Sequence, residues 1–367
     1  MIKFNLRSFV SMLKEIPESV ILLLSFILAF FITYFGIPRV NTLARLKGLY
    51  DIPGSRTSHS EPTPRLGGAM IFAGFILTSV LFTDFENADR LKYLIASMLI
   101  LFFIGIKDDI ITLTPVKKII GQLFASGIIV IPGNVRITDC YGFFALETLP
   151  AVWSIIISII IFMALINSIN LIDGIDGLAA GVGIIATASF GIWFYLNDYI
   201  SLTVICVSLL GSLIAFLYFN LFSRRNKIFL GDTGSMLIGF LLAVIAISFL
   251  EQNAANTGET RLITAPSLTL AILIVPILDT MWIIFLRFYT KKPIFKADHN
   301  HIHHMVLSVS KSHNKAAAII LFINICFIVL IILLRSLGNT ILIISLIIGG
   351  MLLVFLLSQF RRRNNLT

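Results

Sequence analysis

Eleven apolar runs follow one another along this 367-residue chain and leave it few ways to fold. A helix needs about 20 apolar residues to cross the ~30 Å hydrocarbon core of a bilayer. The runs fall at roughly 19–37, 66–83, 91–106, 118–131, 150–169, 178–197, 199–222, 234–251, 264–288, 316–334 and 340–359. The fourth is short and interrupted by Gln122 and Gly127. Composition agrees: hydrophobic residues make up 57% and charged residues 13%, too few charges to cover a soluble surface of this size. The reading is therefore an all-α polytopic membrane protein of about 11 transmembrane helices, a single integral membrane domain over 1–367. Disorder, a secreted disulfide scaffold and a soluble Rossmann-type enzyme are excluded. Cys140, Cys206 and Cys326 are widely spaced and give neither a disulfide framework nor metal-ligand spacing. The first run has no small-residue cleavage site and reads as retained rather than as a signal peptide.

Direction comes from the basic residues. With the N-terminus outside and the C-terminus inside, 20 of the 28 Lys and Arg fall on inward segments, as the positive-inside rule requires. The net charge of +9 then records anchoring at the inner membrane surface, not nucleic-acid binding.

With this topology the unusual polar segments all face inward. They are DIPGSRTSHSEPTPRLGG (Asp51 to Gly68), DDIITLTPVKK (Asp108 to Lys118), NSINLIDGIDGLAAG (Asn167 to Gly181), FLGDTGS (Phe229 to Ser235) and ADHNHIHH (Ala297 to His304). Any chemistry is expected at the cytoplasmic side.

The third segment is the most informative. Asn167, Asn170, Asp173 and Asp176 recur every three residues where a helix leaves the membrane, and so share one broad helical face. The segment holds no Lys or Arg. A charge near the bilayer costs ~2.5–3.5 kcal/mol, so such carboxylates are usually paired or bound to a cation. Hard oxygen ligands of this type suit Mg²⁺ or Mn²⁺.

Asp108 and Asp109 are adjacent carboxylates that raise each other's pKa, and Lys118 follows ten residues after the first. Either one acts as a base, or both lean on a metal and Lys118. In FLGDTGS, flanking glycines let the backbone approach a ligand and expose Asp232. The segment lacks the GK[ST] of a Walker loop. Phe229 is either membrane-border filler or an aromatic platform for a base. His301, His303 and His304 invite a zinc reading, but no cysteine is near and the ligands would all have to come from one loop. The surrounding Lys291, Lys292 and Lys296 suit a diphosphate better. Asp279, after Pro276 inside the ninth run, is the one acid deep in a span. It reads either as a proton relay or as a hydrogen-bonding group within the bundle.

Taken together, DDxxxLxPxxK, NxxNxxDGxDGLxxG, FxGDxGS and HxHH, in order from about Asp51 to His304, resemble the polyprenyl-phosphate N-acetylhexosamine-1-phosphate transferase family. The resemblance implies ten or eleven transmembrane helices and an active site in a cytoplasmic cleft. It implies transfer of a sugar-1-phosphate from a UDP-N-acetylhexosamine to undecaprenyl phosphate, with release of UMP, in a bacterial plasma membrane. By the same resemblance, Asp232 is the principal Mg²⁺ ligand, Asn170 its companion, and Mn²⁺ a substitute ion. Phe229 stacks on uracil, Asp176 contacts the nucleotide and Asn220 binds uridine. Asp108 and Asp109 serve the lipid phosphate or its deprotonation. His301, His303 and His304 hold the donor's phosphates or sugar. Asp173 completes the catalytic candidates, and Asn167, Lys118 and Arg65 the substrate-binding ones.

Direct attack by the lipid phosphate and a phospho-aspartate intermediate both stay open here, as does a homodimer. The PTPRLGG loop and the single Ile within His301–His304 look more like the N-acetylglucosamine branch than the muramoyl-pentapeptide branch. His299 stands where that branch commonly has Arg, which leaves a deoxy or amino relative of N-acetylglucosamine open. An ion-coupled transporter built on Asp279 is the alternative of another class. It is disfavoured because the acids cluster at one face and no repeat relates two halves.

Overall fold

The computed structural model describes residues 17–50, 63–83, 90–142, 148–291 and 301–363. Its helices are α1 (Glu18–Leu46), α2 (Gly67–Phe82), α3 (Leu91–Ile110), α4 (Pro115–Val130), α5 (Ala151–Ile172), α6 (Leu178–Leu196) and α7 (Ile200–Leu221). They continue as α8 (Gly231–Ala255), α9 (Ala265–Ile272), α10 (Ile274–Thr290), α11 (Ile302–Ser310), α12 (His313–Leu333) and α13 (Asn339–Arg363). The described residues form no named strand, and Asp139 and Thr148 make an isolated antiparallel bridge. The chain is an all-α polytopic membrane protein.

Every expected apolar run is helical. Seven helices are long and apolar enough to cross a membrane, or eight if α9 and α10 count as one bent span. The runs at α2, α3 and α4 fall short of that measure for visible reasons: α2 and α4 are 16 residues long, α4 with Lys117 and Lys118 in its first turn, and α3 ends in Lys107, Asp108 and Asp109.

Helix α8 is the axis of the bundle. Every residue from Thr233 to Phe249 is buried, as expected of a helix that is apolar all round. It packs against α2, α3, α5 and α6, with Phe240 against Phe162 at 5.2 Å and Phe249 against Phe190 at 5.1 Å between ring centroids. Helix α1 lies outside, on α7 and α2.

The ninth run differs from expectation. It is broken at Leu273 and turns by 75° between α9 and α10. The cause is Pro276, which has no N–H for the carbonyl four residues before it and whose ring clashes with a continuous helix. Asn324 of α12 takes up the freed groups: its Nδ2 donates to the Ala271 carbonyl at 2.9 Å and the Ile272 carbonyl at 3.3 Å. A buried amide thus satisfies backbone oxygens that would otherwise face hydrocarbon. The His301–His304 segment, expected as loop, opens the short helix α11.

Candidate active site

Helices α3, α5 and α7 end, and α2, α4, α6 and α8 begin, at the same end of the bundle, so four of the five polar segments meet there. The first turn of α8 organises the meeting. Gly231 has φ of +74°, which lets the chain swing sharply into the helix. A Cβ there would collide with the Arg65 carbonyl and with both oxygens of Asp109. Gly68 and Gly234 touch backbone to backbone, and a Cβ on Gly105 of α3 would strike Thr233.

The extended segment before α8 is stitched to the one before α2. Phe229 N donates to the Pro64 carbonyl at 2.8 Å, Gly67 N to the Phe229 carbonyl at 3.0 Å, and Gly68 N to the Leu230 carbonyl at 2.9 Å. The glycines of PRLGG and FLGDTGS therefore serve close approach, a role the sequence hinted at without naming the partner.

Asp109 caps α8 from outside. Its Oδ1 accepts the Asp232 amide at 2.7 Å, and its Oδ2 accepts both the Thr233 amide, at 3.1 Å, and the Thr233 hydroxyl, at 2.5 Å. These are amides that a helix start leaves without internal partners. Asp108 is 6% exposed; its Oδ1 accepts the Leu113 amide at 2.6 Å and its Oδ2 pairs with Lys118 Nζ at 2.5 Å. The same ammonium lies 3.2 Å from Asp232 Oδ1, so Lys118 bridges two carboxylates. Asn170 Nδ2 reaches Asp232 Oδ1 at 2.6 Å and Ser235 Oγ at 2.7 Å.

Asp173 caps the C-terminus of α5 and has neither a hydrogen bond nor an ion pair among the described residues. One side of it is open, yet the protein packed around it and the charges of Asp232, Asp109 and Asp176 push its carboxyl well above the usual range, with Arg65 partly opposing them. Asp176 Oδ2 instead pairs with Lys227 Nζ at 2.7 Å, and that ammonium lies 5.6 Å above the Phe229 ring. Lys227 counted in the sequence only as an inward charge; its place two residues before Phe229 was the available signal.

Two candidates are engaged inside the scaffold. Asn220 is 5% exposed, accepts the Gly177 amide at 2.7 Å and donates to the Ile228 carbonyl at 3.0 Å, tying α7 to both neighbouring segments. Asn167, one turn before Asn170, donates to Gln122 Oε1 at 2.9 Å and to the Met163 carbonyl at 2.7 Å.

The histidines dock on this cluster. His303 is 2% exposed and faces Gly174 so closely that a Cβ there would overlap its Nε2. Burial, then His304, His301 and His313, hold its pKa well below the usual value, which keeps it neutral. His301 stacks on His303 at 5.3 Å, and His304 lies 4.3 Å from His303 between ring centroids. Asp279 was expected deep in a span. The bend at Leu273 brings it instead to His301, whose Nδ1 is 2.6 Å from its Oδ2, while its Oδ1 accepts the Ile302 amide at 2.6 Å. Asp279 thus makes the hydrogen bonds within the bundle that one of its two readings expected. Asp279, His301 and His303 each place one ligand atom within 4.8 Å of the others, so the objection that zinc ligands would have to come from one loop no longer holds. His299, Lys292 and Lys296 lie outside the described residues.

Five carboxylates and three basic side chains are gathered at the helix ends of a membrane bundle. A family model described as glycosyl transferase family 4 matches residues 91–250, from before Asp108 to beyond Asp232. The decaprenyl-phosphate N-acetylglucosaminephosphotransferase of Mycobacterium tuberculosis is 32% identical over 311 residues, covering 79% of this chain and 76% of the relative. The probable undecaprenyl-phosphate N-acetylglucosaminyl 1-phosphate transferase of Bacillus subtilis is 28% identical, covering 82% and 81%. The undecaprenyl-phosphate alpha-N-acetylglucosaminyl 1-phosphate transferase of Escherichia coli K12 is 29% identical, covering 76% and 74%. The chain belongs to glycosyl transferase family 4.

Proposed function

We propose that this chain transfers N-acetylglucosamine-1-phosphate, or a close N-acetylhexosamine equivalent, from its UDP-sugar to undecaprenyl phosphate and releases UMP. The product would begin a lipid-linked cell-surface polysaccharide. The site would face the cytoplasm of a bacterial plasma membrane, with the N-terminus outside. The observation that carries the reading is Lys118 held between Asp108 and Asp232, with Asn170 alongside, at the end of a membrane bundle. The printed activities of the relatives support the same reaction.

A divalent ion fits the residues present. Carboxylates outnumber basic groups, the ammonium of Lys118 already lies where positive charge is drawn, and Asp173, which feels the charge of Asp232, has no hydrogen bond or ion pair among the described residues. Asp232 and Asn170 would hold Mg²⁺, with Mn²⁺ as substitute, since the available donors are hard oxygens. When bound, the ion would neutralise charge on the diphosphate oxygens.

The chain's own residues supply the rest. Phe229, its backbone fixed by Pro64 and Gly67, offers a ring face to the uracil, and Lys227 and Asp176 stand beside it for the nucleotide. Asn220 and Asn167 act through the scaffold. Lys118 is placed to meet phosphate oxygens. An oxygen of the lipid phosphate attacks the phosphorus that carries the sugar, the bond from that phosphorus to the UMP oxygen breaks, and UMP leaves with the electron pair. Such a transfer needs positioning and charge neutralisation more than covalent help. Both oxygens of Asp109 are taken by α8 and both of Asp108 by Leu113 and Lys118, which supports direct attack over an aspartyl intermediate. Asp173, with its raised pKa, is the group suited to take the acceptor's proton.

The test is UMP release by the purified full chain from UDP-N-acetylglucosamine, undecaprenyl phosphate and Mg²⁺, each omitted in turn. Release that needs all three supports the proposal. Silence across a panel of UDP-sugars, with folded protein, overturns it.

A further inference from the structure

The acid in the bent ninth run belongs to no motif, yet its two oxygens do two different things. Oδ1 of Asp279 accepts the amide of Ile302, the first residue of α11, a helix with no side-chain cap of its own. Oδ2 lies 2.6 Å from Nδ1 of His301, the residue just before that helix. Asp279 is 1% exposed and His301 is 7% exposed, so water does not compete for either bond. One carboxylate therefore fixes both where α11 begins and how the first ring of the histidine group is turned.

We propose that Asp279 is a positioning residue for His301. It holds the proton on Nδ1, so that Nε2 is the nitrogen left to work toward the substrate, and it holds the ring in its stack on His303. The stack matters because His303 rests on Gly174 in the loop between Asp173 and Asp176. Asp279 thus couples the bend at Leu273 to the acidic cluster through two imidazoles. A carboxylate on one histidine nitrogen selects the tautomer presented at the other.

The close grouping with His303 could also hold a transition metal. The direct contact of Asp279 with His301 argues against that. Two ligands of one ion do not share a proton at 2.6 Å.

The proposal rests on the transferase reading for its activity readout, so the experiment has a second arm that does not. The full chain, labelled with ¹⁵N-histidine, is compared with Asp279→Asn, Asp279→Glu, His301→Gln and the double variant Asp279→Asn/His301→Gln. Nitrogen shifts, with His301 assigned by its loss in His301→Gln, report which ring nitrogen carries the proton. Asn keeps an oxygen for the Ile302 amide but turns a donor toward His301, so the His301 proton is expected to move to Nε2. UMP release is expected to fall roughly 10- to 100-fold in kcat/KM, the scale seen when an orienting carboxylate is lost. Asp279→Glu is expected to recover part of it, and the double variant to be no worse than His301→Gln. Unchanged kcat/KM in Asp279→Asn, or losses that simply add in the double variant, would overturn the proposal. If Asp279→Asn does not fold, the wild-type and Asp279→Glu shifts decide: a His301 proton on Nε2 alone in both overturns the pairing. A thermal shift with added Zn²⁺ that vanishes in His303→Gln would overturn it in favour of a metal site. Wild-type protein that releases no UMP from any UDP-sugar removes the transferase reading, and the nitrogen shifts still decide whether Asp279 sets the His301 tautomer.

Discussion

Asp109 and Thr233 are joined twice, by the Thr233 amide and hydroxyl that both donate to Asp109 Oδ2, and the Asp232 amide adds a third bond on Oδ1. A carboxylate at a helix start satisfies orphan amides and meets the positive end of the helix dipole. Asp109→Ala removes all of this from the central helix. It should cost roughly 1–2 kcal/mol, the upper part of the range for lost caps, and lower the thermal midpoint in detergent. Thr233→Val, which loses only the hydroxyl contact, should cost less. Equal midpoints for wild type and Asp109→Ala would show that the cap is idle.

Asp173 should show the opposite pattern. Its folded-state pKa is raised, so its penalty to folding is absent at low pH and grows as pH climbs from the unfolded value of about 3.9 through the folded one. At pH 7.5, well above the unfolded value, the raised pKa of Asp173 destabilises the folded protein. Asp173→Asn should therefore raise the thermal midpoint at that pH, gain little at pH 4, and lose UMP release altogether. A lower midpoint at pH 7.5 would mean that Asp173 has a stabilising partner and is not poised as a base.

The helices were legible because an apolar run of membrane length has one economical structure, and the polar motifs because acids are rare in such a chain. Their partners were not legible. DDIITLTPVKK allowed Asp108 and Asp109 both to lean on Lys118, but the fold places that ammonium between Asp108 and Asp232. Asn170 and Asn167 look alike in sequence; one turn of helix sends the first to Asp232 and the second to Gln122. Asp279 was visible as an unusual acid, yet its partner depended on the bend at Leu273, which Pro276 permits and Asn324 stabilises. Residues that act through long-range pairing carry little local signal.

Metal binding can be read without turnover. A ligand that binds only the folded state raises its stability as the free concentration passes the dissociation constant. Mg²⁺ should raise the thermal midpoint of the wild type, and chelation should reverse the rise. Asp232→Asn should remain monodisperse, lose the Mg²⁺ response and lose UMP release. A full Mg²⁺ response in that variant would take the ligand role away from Asp232.

Phe229 separates ring from backbone. Its amide and carbonyl hold the segments at Pro64 and Gly67, and alanine keeps both bonds. Phe229→Ala should therefore leave the midpoint nearly unchanged and raise KM for the UDP-sugar more than for the lipid acceptor. Base stacking on an aromatic is worth roughly 1–3 kcal/mol, so the KM rise should be about fivefold or more. Equal rises for both substrates would make the ring a packing element.

Two glycines offer a paired test of how tightly α8 is held. A methyl on Gly68 lands on the backbone of Gly234, where no side chain can move aside. A methyl on Gly127, inside α4, meets nothing within 4 Å. Gly127→Ala should thus be neutral or stabilising by up to ~1 kcal/mol, the helix preference of alanine over glycine. Gly68→Ala should drive α2 from α8, disturb the Gly68–Leu230 hydrogen bond and displace Asp232 with the first turn. The expected result is a lower thermal midpoint and weaker UMP release for Gly68→Ala alone. Similar midpoints for the two variants would mean that the α2–α8 contact is looser than the backbone approach at Gly234 requires.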